Sequence, residues 1–433
     1  KREKPQMESV EHRSPNPIIL LLAAAILFSP VLQGQDSGPI RLSLADLSAD
    51  LQIATGGSSV DDSTLLNLQG GHHDPRKRGF TFQGLELGMQ GAIDPYLSLD
   101  AALHYTIDAA TNESHFEMVE AFLTSSQLPL GLHEKGIHLE AGQMLTEFGS
   151  HNPTHMHERN WMDEPVINTR IFGSDGMRGM GMRAGIDNPT SWLSRIHLGI
   201  QDASGETMMS FSNGNEDETI GGISAVPNEV KDLEDFVYLL RTEKDIAGPT
   251  GETNWVIGAS GLCGPNSTGA DGRTIVLGAD ISMKWAPREN DDGWPYLIWQ
   301  TEVMRRRFNL GEGAPGDGLG VALQIGEDGI SESDSLMDWG GYSQVLWGYR
   351  KGWAVGLRYE YASGSSSPVD PSSDPMRDDR QRISPVLIWT PTEFSRFRLQ
   401  YNYDLAEHLD ESPVHSIWVG MEVHFGEHTA RAH

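Results

Sequence analysis

Apolar and polar residues alternate with period two along most of the chain, and helical periodicity is nearly absent. Leu97, Leu99, Ala101, Leu103 and Tyr105 share one face of a strand; Ser98, Asp100, Ala102, His104 and Thr106 share the other. The same division separates Leu277, Ala279, Ile281, Met283 and Trp285 from Gly278, Asp280, Ser282 and Lys284. It recurs where Trp353, Val355, Leu357, Tyr359 and Tyr361 oppose Gly356, Arg358 and Glu360, and where Phe397, Leu399, Tyr401 and Tyr403 oppose Arg396, Arg398, Gln400 and Asn402. The rule places sixteen strands near 47–57, 80–91, 95–107, 114–127, 136–146, 178–187, 192–202, 235–246, 253–263, 272–287, 296–309, 339–350, 353–363, 381–390, 395–404 and 414–425.

Each strand has one oily and one wet face, and about ten tilted residues cross a bilayer. A soluble sandwich would also alternate, but it has no need for aromatics at strand ends such as Trp192, Trp285, Trp353, Trp389 and Tyr403, where membrane interfaces favour them. Connections alternate in length. Those at Asp94-Pro95, Asn188-Pro189, Arg350-Lys351-Gly352 and Pro391-Thr392 are short, and those at 58–79, 147–177, 203–234, 310–338 and 364–380 are long and polar. The expected fold is all-β: a transmembrane antiparallel β-barrel of about 16 strands with long extracellular loops and short periplasmic turns.

Composition agrees. Of 433 residues 38% are hydrophobic, and no run after the start is apolar over eighteen residues, which excludes spanning helices but not a barrel. The apolar run Ile18–Phe28 behind Arg13 reads as a secretory signal. The expected segments are upstream residues and signal peptide over 1–34, a periplasmic N-terminal segment over 35–46, the barrel over 47–425 and a C-terminal tail over 426–433. A net charge of -29 argues against nucleic acid as a partner. The single cysteine, Cys263, permits no internal disulfide or cysteine zinc site and is expected as buried apolar filler.

The stretch Gln143–Arg183 leaves one strand, runs through about thirty residues dense in His, Pro, Asn, Asp and Gly, and re-enters alternation. His151, His155 and His157, with Glu158, Asp163 and Glu164 behind them, offer imidazole and carboxylate ligands for zinc, although no tight helical spacing is present. His72-His73-Asp74 is a second such group. The wet faces place Arg183, Arg195, Lys284, Arg306, Arg358, Arg396 and Arg398 toward the lumen with Asp100, Glu140, Asp280, Glu302 and Glu360, a charge arrangement that can select small solutes or ions. Asp175 and Arg178 are expected to pair and pin the loop. No GxSxG elbow, no GxxxxGK[ST] loop and no paired cysteine nucleophile occurs, so enzymatic activity is not expected.

The motifs HDPxxRGF over His73–Phe80, the turn Asp94–Tyr96, FGxxNPxHxH over Phe148–His157, DxP over Asp163–Pro165 and FGxDGxRG over Phe172–Gly179 carry a resemblance. From His72 to Arg183 the chain resembles Gram-negative outer-membrane proteins labelled zinc-regulated TonB-dependent receptors, which look related in architecture to phosphate-selective porins. The resemblance implies zinc-linked expression or transport. A TonB-dependent receptor is a larger barrel with an N-terminal plug, whereas about a dozen residues separate the expected cleavage site from the first strand, so the expectation is a porin-like passive channel in the Gram-negative outer membrane. Its third extracellular loop would then fold inward as the constriction, presenting His155, His157, Asp163, Asp175 and Arg178. The expected partners are outer-membrane lipid, a small hydrophilic solute or ion, and further copies in a homotrimer. A zinc-linked metal-binding receptor and a closed structural barrel are the alternatives.

Overall fold

The computed structural model describes residues 47–125, 128–212, 219–220, 223–224, 230–268, 271–290, 292–311, 335–365 and 375–426. The expected signal peptide, the 35–46 segment and the tail beyond Gly426 lie outside them. Sixteen strands form the wall: β1 Leu47–Ser58, β2 Gly79–Ala92, β3 Leu97–Ile107, β4 Ser114–Ser125, β5 Ile137–Leu145, β6 Arg178–Thr190, β7 Leu193–Asp202, β8 Phe236–Ala247, β9 Thr253–Pro265, β10 Arg273–Trp285, β11 Tyr296–Asn309, β12 Ser335–Arg350, β13 Trp353–Gly364, β14 Arg380–Thr392, β15 Ser395–Ala406 and β16 Val414–Gly426. Each pairs antiparallel with the next, and β16 returns to β1 from Ser48↔Gly426 to Ser58↔Ser416, so the sheet closes and no edge is left unpaired.

The outward positions explain the alternation. Leu240, Ile257, Leu277, Val303, Leu357, Leu399, Ile417 and Val419 are between 42 and 57% exposed. An apolar belt of this extent around a soluble protein would drive aggregation; facing lipid it is matched to its solvent, and the barrel is a membrane-spanning one. Trp192, Trp347, Trp353, Trp389 and Phe394 ring the short-turn end, with Trp353, Trp389 and Phe397 stacked at 5.8 and 5.3 Å. Cys263 is exposed on the outer face of β9, not buried as expected, because it shares a face with Gly261 and Ile257 rather than with the inward Leu262.

Two short connections lie later than expected. β6 runs through Asn188 and Pro189 to Thr190, and β14 through Pro391 to Thr392. In both, the pairing register shifts before the turn, so the chain bulges rather than reverses at the proline.

Two short helices also depart from the all-strand expectation: α1 Asp62–Leu66, capped by Asp61, and α2 Val166–Phe172. All seven residues of α2 are buried, because it lies in the β5–β6 connection that folds into the barrel. Phe148, Ile167, Ile171 and Phe172 pack there against the wall residues Val237, Leu262, Val276, Met304 and Tyr342. Part of the lumen therefore holds an apolar core, which the wet-lumen expectation did not include.

Candidate functional site

The inward loop, 146–177, is held to the wall through polar groups at successive points. Gly149 (φ +64) passes so close to Glu302 that a Cβ would lie 1.7 Å from its carboxylate. That carboxylate then accepts the amides of Ser150 and His151, each at 3.2 Å, and the Tyr342 hydroxyl at 3.2 Å. Further on, Trp161 donates its indole N–H to the Ser384 carbonyl at 2.9 Å, and the Met162 amide donates to Gln400 at 2.9 Å. Asp163 accepts from Arg358, from Arg382 at 3.1 Å and from Asn402 at 2.6 Å, on three adjacent strands. The first amide of α2, Val166 N–H, donates to Glu360 at 2.6 Å, where a carboxylate suits the positive end of a helix.

Of the three loop histidines, His155 and His157 share Glu86 and His151 takes Glu164. His155 lies between Glu86 and Glu120, 3.0 Å from each, and His157 stacks on it at 5.6 Å with Glu86 at 3.2 Å and Asp50 at 3.9 Å. Burial alone favours the neutral ring, but Glu86 and Glu120 outweigh it and lift the His155 pKa to about 10. His157 is raised for the same reason, burial being outweighed by Glu86 and Asp50. His151 instead contacts Glu164 at 2.5 Å; burial, reinforced by Arg159 and Arg358, holds its pKa well below 6.5, so the contact is a hydrogen bond from a neutral ring. The expected zinc set is thus divided, with His151 on one carboxylate and His155 and His157 on others.

The carboxylates beneath His155 were missed because of bulges. Strict alternation puts Glu117 and Glu120 on opposite faces; a register shift around Val119 turns both inward. A second shift, around Gln83 in β2, resets the face of Glu86. Arg382 and Asp404, paired at 2.7 Å, were also missed, although both follow the inward period of their strands. Asp175 and Arg178 do not pair through their side chains: Arg178, at the start of β6, bonds Glu117.

Every expected lumen charge lies on an inward-facing position, in environments that range from buried to exposed. Arg306, Arg358, Arg398, Asp280, Glu302 and Glu360 are nearly inaccessible, bound to one another, to neighbours such as Asp338 and Glu422, or to the loop. Arg396 bonds Glu422 at 2.6 Å and the His157 carbonyl at 2.7 Å. Lys284 is exposed at the short-turn end. Asp100, Glu140, Arg183 and Arg195, with Glu147 and His197, line a polar vestibule of about 340 Å³ beside the loop. Within it Arg183 bridges Glu140 at 2.6 Å and Glu147 at 3.0 Å, while Arg195 bonds Glu243 at 2.8 Å.

The fold, a closed sixteen-strand antiparallel barrel, is one that outer-membrane porins of known structure share. The outer membrane channel DcaP of Acinetobacter baumannii superposes with a TM-score of 0.53 at 9% identity, covering 88% of this chain and 96% of that one. The anion-selective porin from Comamonas acidovorans gives 0.50 at 10% identity, over 88% and 97%. Identities this low establish a shared fold and no more. In sequence, an uncharacterized protein of Aquifex aeolicus (strain VF5) is 26% identical over 394 residues, 85% of this chain and 75% of that protein. No protein-family profile matches the chain.

Proposed function

We propose that the protein is an outer-membrane channel for passive diffusion of small hydrophilic solutes or ions, with the β5–β6 loop narrowing its lumen. The vestibule carries this reading: arginines and carboxylates face one another across a polar cavity of about 340 Å³ that adjoins the inward loop. Apolar residues would suffice if the interior only had to be filled.

The test is single-channel current of the refolded protein in a planar bilayer under a salt gradient. Small discrete steps are expected, growing when residues 152–170 are deleted. A folded deletion variant with unchanged conductance would refute the constriction. Asp163→Ala, which releases one anchor and leaves the loop in place, should raise the frequency of larger openings.

The apolar core around α2 favours a second reading, a barrel closed by its own loop. Heat-modifiable, folded wild type that passes no current, with current appearing only once residues 152–170 are deleted, would establish that reading instead.

A further inference from the structure

The loop before β2 and the loop before β6 meet above strands β3 and β4, where three side chains of metal-ligand type converge with Asp175 beside one of them. His73 donates Nδ1–H to the Gln83 carbonyl at 3.1 Å, at the β2 bulge, which fixes the tautomer and leaves the Nε2 lone pair available. Asp175 Oδ1, buried and without a hydrogen-bond partner, lies 3.8 Å from that Nε2. His104 on β3 is 2% exposed, its Nε2 also has no partner, and its ring centroid is 4.1 Å from that of His73. The ring reaches this position because residue 84 is glycine: a Cβ there would lie 1.8 Å from His104 Nε2. Glu117, turned inward by the β4 bulge, completes the group. Ligand atoms of His73, His104 and Glu117 lie within 4.8 Å of one another, the one such trio among the described residues.

We propose that His73, His104, Glu117 and Asp175 bind a divalent transition-metal ion, with zinc matching the two-imidazole, two-carboxylate donor set. Buried polar atoms in folded proteins are paired, and a cation satisfies both orphaned atoms at once. The surroundings fit. The Gln83 carbonyl orients His73 through its other nitrogen, and Arg178 holds Glu117 from outside, as outer-shell groups do around metal ligands. His197, whose ring nitrogens are also unpartnered, instead faces the polar vestibule, where no second imidazole joins it within such a trio among the described residues. Asp74, expected beside His73, turns away to the amides of Gly71 and Glu164 at 2.6 and 3.0 Å.

The bound ion ties two extracellular loops to the barrel wall, one of them the inward loop, and stiffens its root. The inference rests on the fold and these four side chains, so it stands apart from permeation. Isothermal calorimetry of refolded, metal-stripped protein with zinc chloride, with cobalt absorption as a second readout, tests it. One site per chain is expected, weakened at least about tenfold in His73→Ala, His104→Gln and Glu117→Gln, and retained in the double variant His155→Gln, His157→Gln. His73 is in a loop, so its variant is informative even if His104→Gln fails to refold. Folded wild type that takes up no zinc overturns the assignment. So does unchanged binding in His73→Ala, or loss that follows His155 and His157 instead.

Discussion

Asp163 joins the inward loop to β13, β14 and β15 through Arg358, Arg382 and Asn402. Its removal takes one of two carboxylate partners from each of two buried guanidiniums, Arg358 keeping Glu360 and Arg382 keeping Asp404, so Asp163→Ala should destabilise the barrel by roughly 1–3 kcal/mol, read from urea unfolding of the refolded protein. A loss below about 1 kcal/mol would show that the anchors are redundant. His155 makes a pH-dependent contribution. Its folded pKa, about 10, lies above the ordinary 6.5, so its stabilisation is complete below pH 6.5 and is lost as pH rises through 10. Unfolding free energy should fall across that window by at most about 1.4 kcal/mol per pH unit from this group, and His155→Gln should flatten the slope. An unaltered slope would place the proton elsewhere. The histidines themselves were legible in the sequence. Their carboxylate partners on β1, β2 and β4 were not, since spacing along a loop carries no information about the strands it crosses.

The strands were legible because two solvents, lipid outside and a packed polar interior inside, impose period two on every wall segment. Leu357, 53% exposed on β13, faces the lipid side of that alternation. Leu357→Arg should cost roughly 2–4 kcal/mol near the bilayer midplane in vesicle-based unfolding and much less if the position lies near an interface. The bulges in β2 and β4 were hidden, because one inserted residue shifts the face of everything after it without changing composition. α2 was hidden for a different reason: VINTRIF is a short apolar run that periodicity alone cannot assign, and its helical form depends on burial against the wall and on Glu360 at its first amide.

For the whole molecule, the proposed channel function puts ion preference in the vestibule. Arg195 stands there with its side chain 23% exposed, paired with Glu243 and Asp187. Arg195→Glu replaces one positive by one negative charge and should move the reversal potential toward cation preference, more at low salt than at high. An unmoved reversal potential in a conducting variant would place the selective charges outside the vestibule.

Local alternation and turn chemistry are enough to specify the barrel: sixteen strands, inward charges, outward apolar residues and a loaded third loop all follow from them. Tertiary structure decided what the interior does. Which carboxylate meets which histidine, that part of the lumen is an apolar core, and that His73, His104, Glu117 and Asp175 converge all depend on strand register, two bulges and a loop that crosses the barrel. These bring together residues as far apart as Asp163 and Asn402, 239 positions distant, and no local pattern encodes such distances.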